Sequence, residues 1–142
     1  MFKIFESEEE KMVKSHIRHL VRLANADGVF HKKEKKFIMR IGLENGLSAR
    51  QVEKIIEKPM AVDINIPESK VKRFYQVFDL VNLITKDGQV TDAETEFCQQ
   101  LANRLGFRKV IVGILVAKIE RGIAEGLSRK ELRKECQPFI NY

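Results

Sequence analysis

The chain has 142 residues, 44% of them apolar and 32% charged, with 26 Lys+Arg against 20 Asp+Glu and a net charge of +6. That apolar fraction excludes a disordered chain, and the two cysteines, Cys98 and Cys136, exclude a disulfide scaffold and suit an intracellular protein with both thiols reduced. The longest apolar run, Val110 to Ala117, is far too short to span a membrane and the N-terminus lacks a secretory core, so one cytoplasmic globular domain over residues 1–142 is expected.

The predicted elements are all helical. Ser7-Glu-Glu-Glu10 reads as a capping box, in which a hydroxyl takes an orphan amide and the later glutamate reaches back. Behind it Val13, Ile17, Leu20, Val21 and Ala24 recur at helical spacing, giving a first helix over about 8–26. A second runs from Lys32 to Asn45, with Phe37, Ile38 and Ile41 inward and Gly46 as a left-handed stop. Ser48-Ala-Arg-Gln51 opens a short third helix that ends before Pro59, and 58–67 is the one long non-helical connection.

A fourth helix over about 68–86 is apolar around so much of its circumference that it is expected at the centre. The fifth spans about 92–105, and the sixth spans 108–125 with the apolar run at its heart. Ser128-Arg-Lys-Glu131 caps a seventh that Pro138 ends. No stretch alternates long enough for a strand. The expected fold class is therefore all-α, a single compact bundle of about seven helices.

The positive charge does not gather. Residues 1–66 and 67–142 each hold 13 Lys+Arg and 10 Asp+Glu. The densest cluster, Lys32, Lys33, Lys35 and Lys36 with Arg40, is interrupted by Glu34 and has no interleaved aromatics, so a solvated helix surface is its favoured reading.

An internal repeat is the strongest organisational signal. At an offset of 60 residues, nine of the 37 positions from 20 to 56 are identical to their counterparts, against roughly two or three from ordinary residue usage. The matches are Leu20, Val21, Leu23, Asp27, Gly28, Glu34, Phe37, Gly46 and Val52 with Leu80, Val81, Leu83, Asp87, Gly88, Glu94, Phe97, Gly106 and Val112. Two pseudo-symmetric helix-turn-helix-loop-helix units, about 17–56 and 77–116, are expected.

The repeated turn, Asp27-Gly to Glu34 and Asp87-Gly to Glu94, has two readings. In the structural one, Gly28 and Gly88 end a helix at positive φ, Val29, Phe30 and Val90 plug into the core, and Glu34 and Glu94 complete capping boxes with His31 and Thr91. In the functional one, Asp27, Glu34, Asp87 and Glu94 hold a divalent cation. Asp and Glu seven apart match the second half of a calcium loop, but Leu23 and Leu83 stand where a standard EF-hand has a carboxylate. Each loop alone would bind weakly unless the two pool their ligands.

With its two Asp-Gly-x5-Glu turns, Leu23-Ala-Asn-Ala-Asp27-Gly through Glu34 and Leu83-Ile-Thr-Lys-Asp87-Gly through Glu94, the chain resembles the tellurite-resistance TerB family and the related N-terminal domain of membrane-anchored J-domain co-chaperones. The resemblance covers about residues 8–125. It implies a seven-helix bacterial domain without known catalysis, linked to tellurite and other stress responses. It makes Asp27, Glu34, Asp87 and Glu94 the acidic set for a divalent metal such as Ca, Mg, Mn or Zn. The chain departs from that pattern in being basic overall, with four lysines around Glu34, and it carries no J-domain.

Other constellations are weaker. His16, His19 and His31 lack a paired carboxylate or cysteine pattern, and half-exposed surface histidines are expected. Cys98 reads as a buried apolar residue, whereas Cys136, near the C-terminus, is open to exposure. No nucleophile elbow, phosphate loop or dinucleotide fingerprint is present, so no enzymatic activity is expected. The leading expectation is a non-enzymatic module that binds a partner protein, with divalent cation assistance at the acidic turns. The alternative is an electrostatic adaptor for nucleic acid or anionic membrane through Lys32, Lys33, Lys35, Lys36 and Arg40.

Overall fold

The computed structural model describes residues 6–26, 28, 30–85 and 90–140, and within them every regular element is helical. The helices are α1 (Glu8–Ala24), α2 (Lys32–Glu44), α3 (Ala49–Glu57), α4 (Lys70–Ile84), α5 (Asp92–Arg104), α6 (Lys109–Ala124), α7 (Arg129–Glu135) and α8 (Gln137–Ile140). A 3₁₀ turn, Pro59–Ala61, lies inside the connection expected to be non-helical. The seventh helix closes at Glu135 instead of Pro138. That proline sits in the first turn of α8, where an amide without an intrahelical partner is lost at no cost.

The 60-residue offset reappears in the elements. Helices α2 and α5 begin and end at corresponding positions, α1 and α4 end at corresponding positions, and α3 and α6 begin at them. Both inner corners are built alike. Gly46 and Gly106 adopt positive φ, Leu47 N donates to Gly42 O at 3.0 Å, and Phe107 N donates to Ala102 O at 3.2 Å. Leu47 and Phe107 are then carried into the core, as the Schellman motif requires of its apolar partner.

Packing follows the repeat. Helix α1 packs on α2 and α3, α4 packs on α5 and α6, and α1 and α4 pack on each other through the middle. Equivalent residues are buried in both halves: Ile17 and Val77, Leu20 and Leu80, Val21 and Val81, Leu23 and Leu83, Ile38 and Cys98, Val52 and Val112. Helix α4 additionally receives α7 and α8, in keeping with its expected central place.

The 58–67 connection is fastened to α1. Ser15 Oγ accepts from Asn65 N at 2.8 Å, and the Arg18 guanidinium donates to the Val62 carbonyl, which accounts for two polar side chains buried on that helix. Two side-chain placements differ from the sequence reading. Val90 is exposed, although Phe30 packs partly against the core as expected. Cys136 is fully buried like Cys98, because α7 and α8 fold back over α4 and cover it. Burial pushes both thiols up, Cys98 to about 12, so both are poor thiolates.

Candidate functional site

The acidic set divides. Asp27 and Asp87, with Val29 and Gly88, lie outside the described residues. Glu34 and Glu94 are each 1% exposed and act as the third helical residues of capping boxes. His31 N donates to Glu34 Oε1 at 3.0 Å. Thr91 donates to Glu94 Oε1 from both its amide and its hydroxyl, each at 3.0 Å, and Glu94 N donates to Thr91 Oγ1 at 3.1 Å. Burying a carboxylate is tolerated when such donors surround it, and the positive end of the helix adds to them. Among the described residues, no three His, Cys, Asp or Glu side chains stand close enough to hold a metal ion.

The basic cluster is displayed on α2. Lys32, Lys33, Lys35, Lys36 and Arg40 are all exposed. The surface between them is not merely solvated charge. Met39 and half-exposed Leu43, with the stems of Lys32, Lys35, Lys36 and Arg40, line an apolar groove of about 450 Å³. The Arg40 guanidinium lies 5.5 Å from the Phe37 ring centre and 3.8 Å from Glu44. Apolar floor and cationic rim thus occur on one helix face.

A third arrangement was not legible as a cluster. His16 of α1 and Asp79 of α4 are both buried, and His16 Nε2 meets Asp79 Oδ2 at 2.8 Å. An ionised carboxylate only accepts, so Nε2 carries the shared proton. Arg129, at the start of α7, places Nη2 3.8 Å from Asp79 Oδ1 and stacks its guanidinium 4.5 Å from the Tyr75 ring centre. A cleft of about 180 Å³ borders this cluster, with Lys72, Gln76 and Asn45 among its walls.

Nδ1 of His16 is sealed from solvent and has no partner among the described residues. With Nε2 committed to Asp79, neither ring nitrogen is offered to a substrate, so the pair clamps α1 to α4. The sequence signal was Asp79 itself, a lone carboxylate within the otherwise apolar run Val77-Phe-Asp-Leu-Val81.

The expectation of half-exposed surface histidines fails for two of the three. His16 and His19 are buried, because the wide apolar stripe of α1 is covered by α4 and α5 as well as by its own repeat. Burial, together with the nearby charges of His16, Arg18, Arg104 and Arg22, lowers His19 to about 4, so it is neutral at pH 7. His31 is exposed at the start of α2.

No family model matches the chain, and neither a curated protein nor a solved structure does. No described helix is long and apolar enough to cross a membrane.

Proposed function

We propose that the chain is a non-catalytic, TerB-like interaction module that docks an acidic protein segment on α2. The carrying observation is the α2 face, where Lys32, Lys35, Lys36 and Arg40, with Glu44 at one end, surround an apolar groove floored by Met39 and Leu43, and exposed Lys33 adds to the charge of the helix. Cations alone would suit nucleic acid, whose phosphates draw on charge and leave an apolar floor unused. A protein segment with acidic residues around one or two apolar anchors uses both parts of the face. On the TerB-like reading such a partner belongs to a tellurite or other stress response.

Crosslinking pull-down with wild type and a Lys35→Glu/Lys36→Glu variant tests this reading. Partners bearing acidic segments are expected to be lost from the variant, and from wild type as salt is raised. Equal capture by both proteins overturns it, as does a salt-sensitive interaction found only with duplex DNA or anionic vesicles. A divalent cation at the acidic turns is a separable part of the reading. Calorimetric titration of calcium, magnesium, manganese and zinc into wild type and Glu94→Gln supports it only if a heat present in wild type is lost in the variant.

A further inference from the structure

Helix α6 of the second repeat carries an apolar outer face that its counterpart α3 does not. Along α6, Val112, Leu115, Val116 and Ile119 point into the core, while Val110, Gly113, Ile114 and Ala117 are all exposed at helical spacing on the opposite side. Val110 is 75% and Ile114 45% exposed. Beside them, Glu96, Gln99, Gln100 and Asn103 of α5 join Lys109 and Gly113 in lining a groove of about 470 Å³.

The chain contains its own control. At corresponding positions α3 carries Arg50, Glu53, Lys54 and Glu57, all exposed, and it buries Val52 and Ile55 as α6 buries Val112 and Leu115. The same corner of the same fold therefore accepts an ordinary charged surface, and nothing in the packing of α6 requires an apolar one. An apolar face that the architecture does not need is a place to look for a partner.

We propose that the α5–α6 face docks an amphipathic helix of a partner protein, apolar along its seam and acidic along one flank. Exposed Lys118, which also lies 5.5 Å from the Phe139 ring centre, and exposed Arg121 border the apolar face on the side away from α5 and call for negative charge opposite. On the α5 side, Glu96 and Lys109 line the groove with the amides of Gln99, Gln100 and Asn103, one acid against one base, which suits a neutral polar flank. A Cβ built on Gly113 meets nothing within 4 Å, so there is open space for a helix to approach. A second copy of this chain fits poorly, because pairing α6 with α6 brings cations against cations. A bilayer would draw nothing from Gly113, Ala117 or the amides. This docking face shares no residue with the α2 face and does not rest on it.

The test uses the full chain and labelled synthetic helical peptides of about five turns, read by fluorescence anisotropy. One peptide has a Leu/Ala seam and a Glu flank, a second has Lys in place of Glu, and a third has the seam scrambled. The first is expected to bind, the second about tenfold more weakly, and the third not at all. Val110→Glu/Ile114→Glu should weaken the first by tenfold or more with little change in melting temperature, because Val110 lies largely in solvent and Ile114 is half-exposed. The same loss is expected when Val110→Glu/Ile114→Glu is made in a Lys35→Glu/Lys36→Glu background, where α2 no longer competes for an acidic helix, which separates this face from α2. Absence of binding to wild type, or equal binding to wild type and the Val110/Ile114 variant, overturns the proposal. So does self-association, or sedimentation with phosphatidylglycerol vesicles, that the Val110/Ile114 variant abolishes.

Discussion

Single residues in this protein are decided by what covers them. His19 has the same sequence surroundings as many exposed helical histidines, yet both of its ring nitrogens are sealed without a partner among the described residues. Its lowered value, about 4, means that the unfolded chain takes up a proton near 6.5 while the folded chain refuses it until near 4. The unfolded state therefore binds more protons within that window, and stability is complete above it and lost as pH falls through it. Urea midpoints should fall by up to roughly 3 kcal/mol equivalent between those pH values. His19→Leu should remove most of that dependence, and an unchanged pH profile in the variant would refute the assignment. Asp79 shows the complementary case. A carboxylate in an apolar helix must find a donor, but only the fold says that the donor is His16, more than 60 positions away in sequence, rather than an (i, i+4) neighbour.

At the scale of elements, local chemistry dominates, and the reading from sequence was correspondingly close. Ser7, Ser48, Thr91 and Ser128 each cap the helix they precede, accepting from the amide three residues on. Gly46 stops α2 at φ +93° with nothing near the place a Cβ would occupy, so substitution there meets only backbone strain. Gly46→Ala is expected to cost about 1 kcal/mol, measured by urea unfolding, with the α2–α3 corner otherwise intact. No loss of stability would mean that the positive-φ stop is not required. The misread element is the end of the chain. By sequence Pro138 reads as a terminator, but proline is equally at home in a first turn, and which role it plays depends on whether α8 has α4 to pack against. In α6 the apolar run Val110 to Ala117 is divided between core and surface, because a helix turns only part of its circumference toward the helices it packs on.

For the whole molecule, the two repeats share one continuous core rather than forming two. Helices α1 and α4 pack on each other, and the buried apolar residues from Val13 to Ile140 belong to a single cluster. Unfolding followed by helical circular dichroism and by tyrosine fluorescence should therefore give coincident transitions, Tyr75 reporting from the α4–α7 contact. Separated transitions would show that the halves open independently.

The sequence by itself determined the helical class, most helix boundaries and the 60-residue repeat, because caps, glycine stops and apolar periodicity act over a few residues and are written next to each other. Tertiary structure alone decided that His16 meets Asp79, that His19 and Cys136 are sealed, and that Val110 and Ile114 are left facing water while Arg50 and Lys54 hold their places in the first half. Burial depends on which helix faces which, a property of pairs far apart in the chain. Two segments with matching patterns and matching backbones can thus expose surfaces of opposite chemistry.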